Sequence, residues 1–183
     1  SKLMDAIGKL SKKLRASGIK SFALYLGSFR NKNYGQNACL EKITQAIALS
    51  LYQFTKFKTK DLDKLKSIGR VAIIAADNDI SKLKKIVNEA LILADAVNKT
   101  RDLVNTPPNV ATPEYIANHA ADLAKKNSLK CTIFDEKQIE KFGMGCFMAV
   151  AKGSANKPRI VVMEYNGNGK EKPIVLVGKG VTF

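Results

Sequence analysis

Val71-Ala72-Ile73-Ile74-Ala75-Ala76 is a continuous apolar run of strand length. A strand with one wet face alternates apolar and polar residues, so an unbroken run predicts a parallel strand buried on both faces. On its N-terminal side, Leu40, Ile43, Ala46, Ile47, Leu51 and Phe54 recur at helical spacing. Before them come a polar loop, Arg30-Asn31-Lys32-Asn33-Tyr34-Gly35, and a strand at 21–26. The chain opens with Leu3, Ile7, Leu10 and Leu14, one apolar stripe of a helix that Gly18 is placed to stop. Helix, strand, helix, strand in this order predicts a layered α/β unit.

On the other side of the run, Asp77-Asn78-Asp79 reads as a turn and helix cap. A helix then covers 81–104, with Leu83, Ile86, Val87, Ala90, Leu91, Ala94 and Val97 inward. Its length of about 35 Å exceeds what a small sheet needs to cover one face, and it reads as a rigid connector. Asn105-Thr106-Pro107-Pro108-Asn109 ends it, because successive prolines cannot continue a helix. Thr112 as N-cap, Pro113 and Glu114 then start a helix that runs to about 127. A strand at 129–134, a short helix at 136–142 and a glycine-flanked segment, Gly143-Met144-Gly145-Cys146, follow. Two further strands are expected at 159–165 and 173–177, joined through Asn166-Gly167-Asn168-Gly169. The chain thus divides into an α/β part at 1–79, a connecting helix at 80–104 and a second α/β part at 105–183.

Composition narrows the class. The apolar fraction of 45% and charged fraction of 26% are those of a soluble globular protein. No apolar run reaches the ~18 residues that span a bilayer, and no signal-peptide pattern opens the chain, so a cytoplasmic protein without membrane partners is expected. Cys39, Cys131 and Cys146 lack the spacing of a zinc or redox motif; Cys39 and Cys131 read as free, buried and inert. The net charge of +15 is unevenly placed, with a net of +10 in residues 1–60. A basic lobe of this kind can attract nucleic acid, although its lysines are spread over helix faces without interleaved aromatics.

From the residues alone, little chemistry is visible. His119, the only histidine, has Ile116 and Leu123 at helical spacing and reads as structural. No serine or cysteine stands in a nucleophile elbow, and no phosphate loop is present. Lys179 is different. It follows Ile174-Val175-Leu176-Val177 between Gly178 and Gly180, at what should be the carboxyl end of a buried strand, where open α/β sheets bind ligands. A desolvated lysine there can bind an anion, act as a base or ligate a metal, and a surface lysine just past a strand fits the pattern equally well.

Three ordered segments resemble the leucyl aminopeptidase (cytosol aminopeptidase) family: Arg101-Asp102-Leu103-Val104-Asn105-Thr106-Pro107-Pro108-Asn109-Val110-Ala111-Thr112-Pro113, then Gly143-Met144-Gly145 through Val150-Ala151-Lys152-Gly153-Ser154, then Pro173 through Val177-Gly178-Lys179-Gly180-Val181-Thr182-Phe183. The resemblance implies the end of a macro-like N-terminal α/β domain, a long connecting helix and the first part of an α/β catalytic domain. It implies a metallo-exopeptidase that removes N-terminal residues from peptide substrates, leucine preferred, and assembles as a homo-hexamer. Two divalent ions per subunit, Mn or Zn with Mg as a further option, would polarise the scissile carbonyl and activate water. The family's metal-ligating lysine maps onto Lys179. The family pattern continues beyond Phe183 with the remaining carboxylate ligands and catalytic residues. The resemblance therefore implies a truncated segment with no catalytic residue of its own, binding no metal and hydrolysing nothing by itself. Two other readings are a DNA-binding or regulatory protein using the basic lobe, and an ADP-ribose or nucleotide binder.

Overall fold

The computed structural model describes residues 1–29, 34–76, 79–167, 169 and 171–182. Residues 30–33, 77–78 and 168, on which the sequence placed parts of a loop, a helix cap and a turn, lie outside the described residues, as does Phe183. The chain forms two compact units, Ser1–Asp102 and Leu103–Phe183.

The first unit opens with α1, Lys2–Ala16, capped by the Ser1 hydroxyl, which accepts from the Met4 amide at 3.4 Å. Gly18, at φ +82°, ends it. The Gly18 amide donates to Arg15 O at 2.9 Å and the Ile19 amide to Leu14 O at 3.1 Å, the paired bonds of a Schellman stop. Strand β1, Ser21–Tyr25, leads through a 3₁₀ turn, Leu26–Phe29, to α2, Gln36–Ser50. Strand β2, Arg70–Ile74, lies parallel to β1, with Ser21 opposite Arg70 and Tyr25 opposite Ile74. Helix α3, Ile80–Asn105, follows, and the Asp79 carboxylate accepts from the Lys82 amide at 3.0 Å in its first turn. The core gathers Ile7, Leu26, Cys39, Leu40, Ile43, Ala46, Ile47 and Leu83, with Phe22, Leu24, Val71 and Ile73 packed against it.

Four expectations are corrected here. On α1 the inward position belongs to Ser11, fully buried, while Leu10 is 38% exposed. Ser11 follows Ile7 by four residues, and its hydroxyl donates to Ile7 O at 2.9 Å, so a polar group sits in the core without an orphan donor. α2 stops at Ser50, short of Phe54, whose ring instead meets that of Phe57 at a tilt of 56°, 5.8 Å between centroids, in the following loop. β2 is covered on one face only: Val71 and Ile73 face the core, but Ile74 is 54% exposed beside an exposed Tyr25. On α3, Leu91 and Val97 are exposed, and Ala90 and Ala94 are the buried residues of its middle turns.

The second unit begins with the last turn of α3 and the Pro107-Pro108 turn, in which the Val110 and Ala111 amides donate to Pro107 O at 2.9 and 2.8 Å. Helix α4, Pro113–Lys126, starts as expected: the Thr112 hydroxyl accepts from the Tyr115 amide at 3.2 Å. Strand β3, Lys130–Phe134, pairs antiparallel with β4, Ile160–Glu164, with Lys130 opposite Glu164. Between them lie α5, Glu136–Lys141, closed by a capping box of Asp135 and Gln138, and α6, Gly145–Ala151. Sequence reading did not separate α6, because seven residues beginning with glycine carry too little periodicity. Cys131, opposite Met163, is half-buried and not buried as expected. Ile139 is fully buried, and Phe134 meets Phe142 edge-on at 5.2 Å.

Burial in the first unit separates two substitutions, one on α2 and one on α1. Ile43→Ala is expected to lower stability by about 2–5 kcal/mol, as for a fully buried aliphatic residue. Leu10→Ala should stay within about 0.5 kcal/mol, as for a surface position. Urea unfolding measures both, and the reverse ranking would return Leu10 to the core.

Candidate metal centre

Apart from Arg101 and Asp102, the three motif segments that the sequence singled out fall in the second unit. The Asn105–Thr112 turn is closed by its own backbone bonds. The Thr106 amide donates to Leu103 O at 3.3 Å, the Thr112 amide to Val110 O at 2.8 Å, and Thr106 and Ala111 are buried. The Gly143–Ser154 segment is a stop and a restart. Gly143, at φ +71°, closes α5, with its amide donating to Glu140 O at 2.9 Å. α6 then carries the chain to Lys152, whose amide donates to Met148 O at 2.9 Å. Lys152, Gly153 and Ser154 are exposed.

The third segment departs from expectation. Residues 173–177 form no strand; they pair with no other strand among the described residues. Ile174, Leu176 and Val177 are each more than 90% exposed. The physical reason is that β-branched composition favours extended backbone, while a strand exists only where a neighbour takes up its amides and carbonyls. Lys179 therefore stands exposed on this segment, not at the carboxyl end of a buried strand.

A metal centre needs donors that converge. Divalent ions of the expected kinds take several oxygen, nitrogen or sulfur ligands each. Among the described residues no group of three or more His, Cys, Asp or Glu could hold an ion. His119, on α4, is half-buried, and Cys146 is exposed. Among the described residues, those present do not fit a two-metal site, and no ion pair joins Lys179 to a carboxylate. The lysines of the first unit are partly engaged locally: Lys64 pairs with Asp61 at 2.7 Å and Lys66 donates to Ala16 O at 2.6 Å. Lys58, Lys60 and Lys64 line an open depression of about 470 Å³ together with Asp61.

The two units nonetheless share a known architecture. A tomato leucine aminopeptidase mutant superposes with a TM-score of 0.80 at 19% identity, covering 93% of this chain and 34% of that one. The bottromycin maturation enzyme BotP in complex with Mn does so with a TM-score of 0.74 at 21% identity, covering 89% of this chain and 32% of that one. The fold is thus the α/β fold of the leucine aminopeptidases, spanning parts of two domains. Sequence places it more narrowly. Residues 1–61 match the N-terminal domain of the cytosol aminopeptidase family and residues 98–183 its catalytic domain. A probable cytosol aminopeptidase of Pseudomonas aeruginosa (strain UCBPP-PA14) is 39% identical over 163 residues, 88% of this chain and 33% of the relative. One of Nitrosomonas eutropha is 34% identical over 182 residues, 98% of this chain and 37% of the relative. The chain belongs to the cytosol aminopeptidase family. It spans about a third of the length of the curated relatives it matches.

Because Lys179 is exposed, Lys179→Met should change the unfolding free energy of the 183-residue chain by no more than about 0.5 kcal/mol. A loss well beyond that in urea titration would show the lysine packed into the second unit.

Proposed function

We propose that these 183 residues are a segment of a metal-dependent leucyl aminopeptidase, a cytoplasmic enzyme that hydrolyses N-terminal residues, leucine preferred, from peptides. The observation that carries this reading is the ordered match of both family domains along one chain, residues 1–61 and then 98–183. The names of the relatives support an aminopeptidase, and the manganese in the BotP complex supports divalent ions, Mn or Zn, as the cofactor class. Two ions per subunit and a hexameric assembly belong to the same proposal.

Within it, Lys179 is the residue this segment contributes to the metal centre, through an amine that must be neutral to ligate. Burial and a nearby cation both favour the neutral form of a lysine. Lys179 is exposed here, so in this proposal the remaining donors and the cover come from outside these residues. The Asn105–Thr112 turn and the α5–α6 stop supply framework by holding the backbone of the two earlier motifs.

Hydrolysis of a dye-coupled leucine substrate with added Mn²⁺ tests the reading. The 183-residue chain alone is expected to give no turnover above background, and turnover would end the idea that its site is incomplete. A chain of the relatives' length containing this segment is expected to be active, and inactivity with Mn²⁺ and Zn²⁺ alike would refute the aminopeptidase itself. In that longer chain Lys179→Met should cost more than the roughly 10–100-fold that follows loss of a group merely supporting a metal ligand. Unchanged activity would remove Lys179 from the centre.

A further inference from the structure

Arg101 and Asp102 open the first of the three motif segments, yet they have no part in the proposed chemistry. Their partners lie in the first unit, at the C-terminal end of α2. That helix has no basic residue in its own last turn. Its final carbonyls are acceptors without intrahelical donors, at the negative end of the helix dipole. Other elements supply the donors. The Asn98 side-chain amide donates to Ala48 O at 3.3 Å, an Arg101 guanidinium N–H to Leu49 O at 2.8 Å, and Arg15 of α1 to Leu51 O at 3.1 Å. Arg101 also donates to Asn98 Oδ1 at 3.1 Å, and its guanidinium lies 5.6 Å from the centroid of the Tyr52 ring. The Tyr52 hydroxyl in turn donates to Asp102 Oδ1 at 2.7 Å.

Asn98, Arg101 and Asp102 stand at i, i+3 and i+4, which puts all three on one face of α3. Apolar packing does not hold that stretch. Leu83, Ile86 and Val87 anchor the first half of α3 in the core, and Ala94 is the last of its buried apolar residues. Val97 and Val104 beyond it are exposed.

We infer that Asn98, Arg101 and Asp102 clamp α3 over residues 98–102 to the end of α2 and to Tyr52. The clamp holds the helix where apolar burial gives out, at the last residues before the chain passes into the second unit at Leu103. An arginine suits the position because its planar, multi-donor head caps a carbonyl and reaches over an aromatic ring at once, for which a compact lysine ammonium is less well shaped.

Amide hydrogen exchange on the 183-residue chain tests this by location. Arg101→Met should speed exchange in residues 95–105 by about tenfold, the effect of losing a charged hydrogen bond. Residues 83–90 should be unchanged, and Arg101→Lys should fall between Arg101→Met and the parent. Unchanged exchange in 95–105, or equal acceleration along the whole chain, would overturn the clamp. Should Arg101→Met fail to fold, Tyr52→Phe carries the test by deleting one hydroxyl: faster exchange confined to 95–105 supports the clamp, and no change there overturns it.

Discussion

Two parallel strands cannot be joined by a tight turn, so pairing Ser21–Tyr25 with Arg70–Ile74 obliges the chain to leave the sheet and return. α2 is the return path, and its position follows from that constraint. It carries Cys39, Leu40, Ile43, Ala46 and Ile47 into the core of the first unit. α1 and the first half of α3 pack where their own apolar residues meet this surface. The small and polar members of the interface, Ser11 and Thr44, are tolerated because each donates to the carbonyl four residues back, at 2.9 and 2.8 Å. The same constraint leaves a cost at the far end of α2, where a helix terminus carries bare carbonyls. Arginines and an asparagine from two other helices meet them.

The second unit depends on local stops more than on a large core. Capping at Thr112 and Asp135 and the left-handed Gly143 set where each helix begins and ends. Its sheet has two strands among the described residues, and two strands alone are a marginal platform. The ion pairs that flank it, Lys130 with Glu164 at 2.7 Å and Lys157 with Glu136 at 2.9 Å, involve groups open to solvent and contribute little. Against this background the exposed run 174–177 stands out as an apolar segment that has the composition of a strand and, among the described residues, no strand to pair with.

Family membership and the limits of the site follow from different features. Motif order and identity to the relatives place the chain in the cytosol aminopeptidase family, because both are properties of the sequence. A metal centre is a property of convergence. It needs several donors at one point, and the described residues do not bring them together. Lys179 was legible as a candidate from its glycines and the motifs ahead of it. Its exposure was not, since the sequence gives no measure of what covers a segment.

What the sequence determined by itself were the features decided within a few residues. The Schellman stop at Gly18, the cap at Thr112 with Pro113 after it, and the end of α3 ahead of the two prolines are all of this kind. Each depends on backbone geometry and hydrogen bonds among near neighbours. What only the tertiary structure decided was which of several apolar or polar residues found a partner. Ser11 and not Leu10 faces the core, β2 is covered on one side, α2 ends before Phe54, and residues 173–177 pair with no strand among the described residues. The physical reason is common to all four: burial and strand pairing are made between elements distant in the chain, and periodicity records only the propensity to enter them.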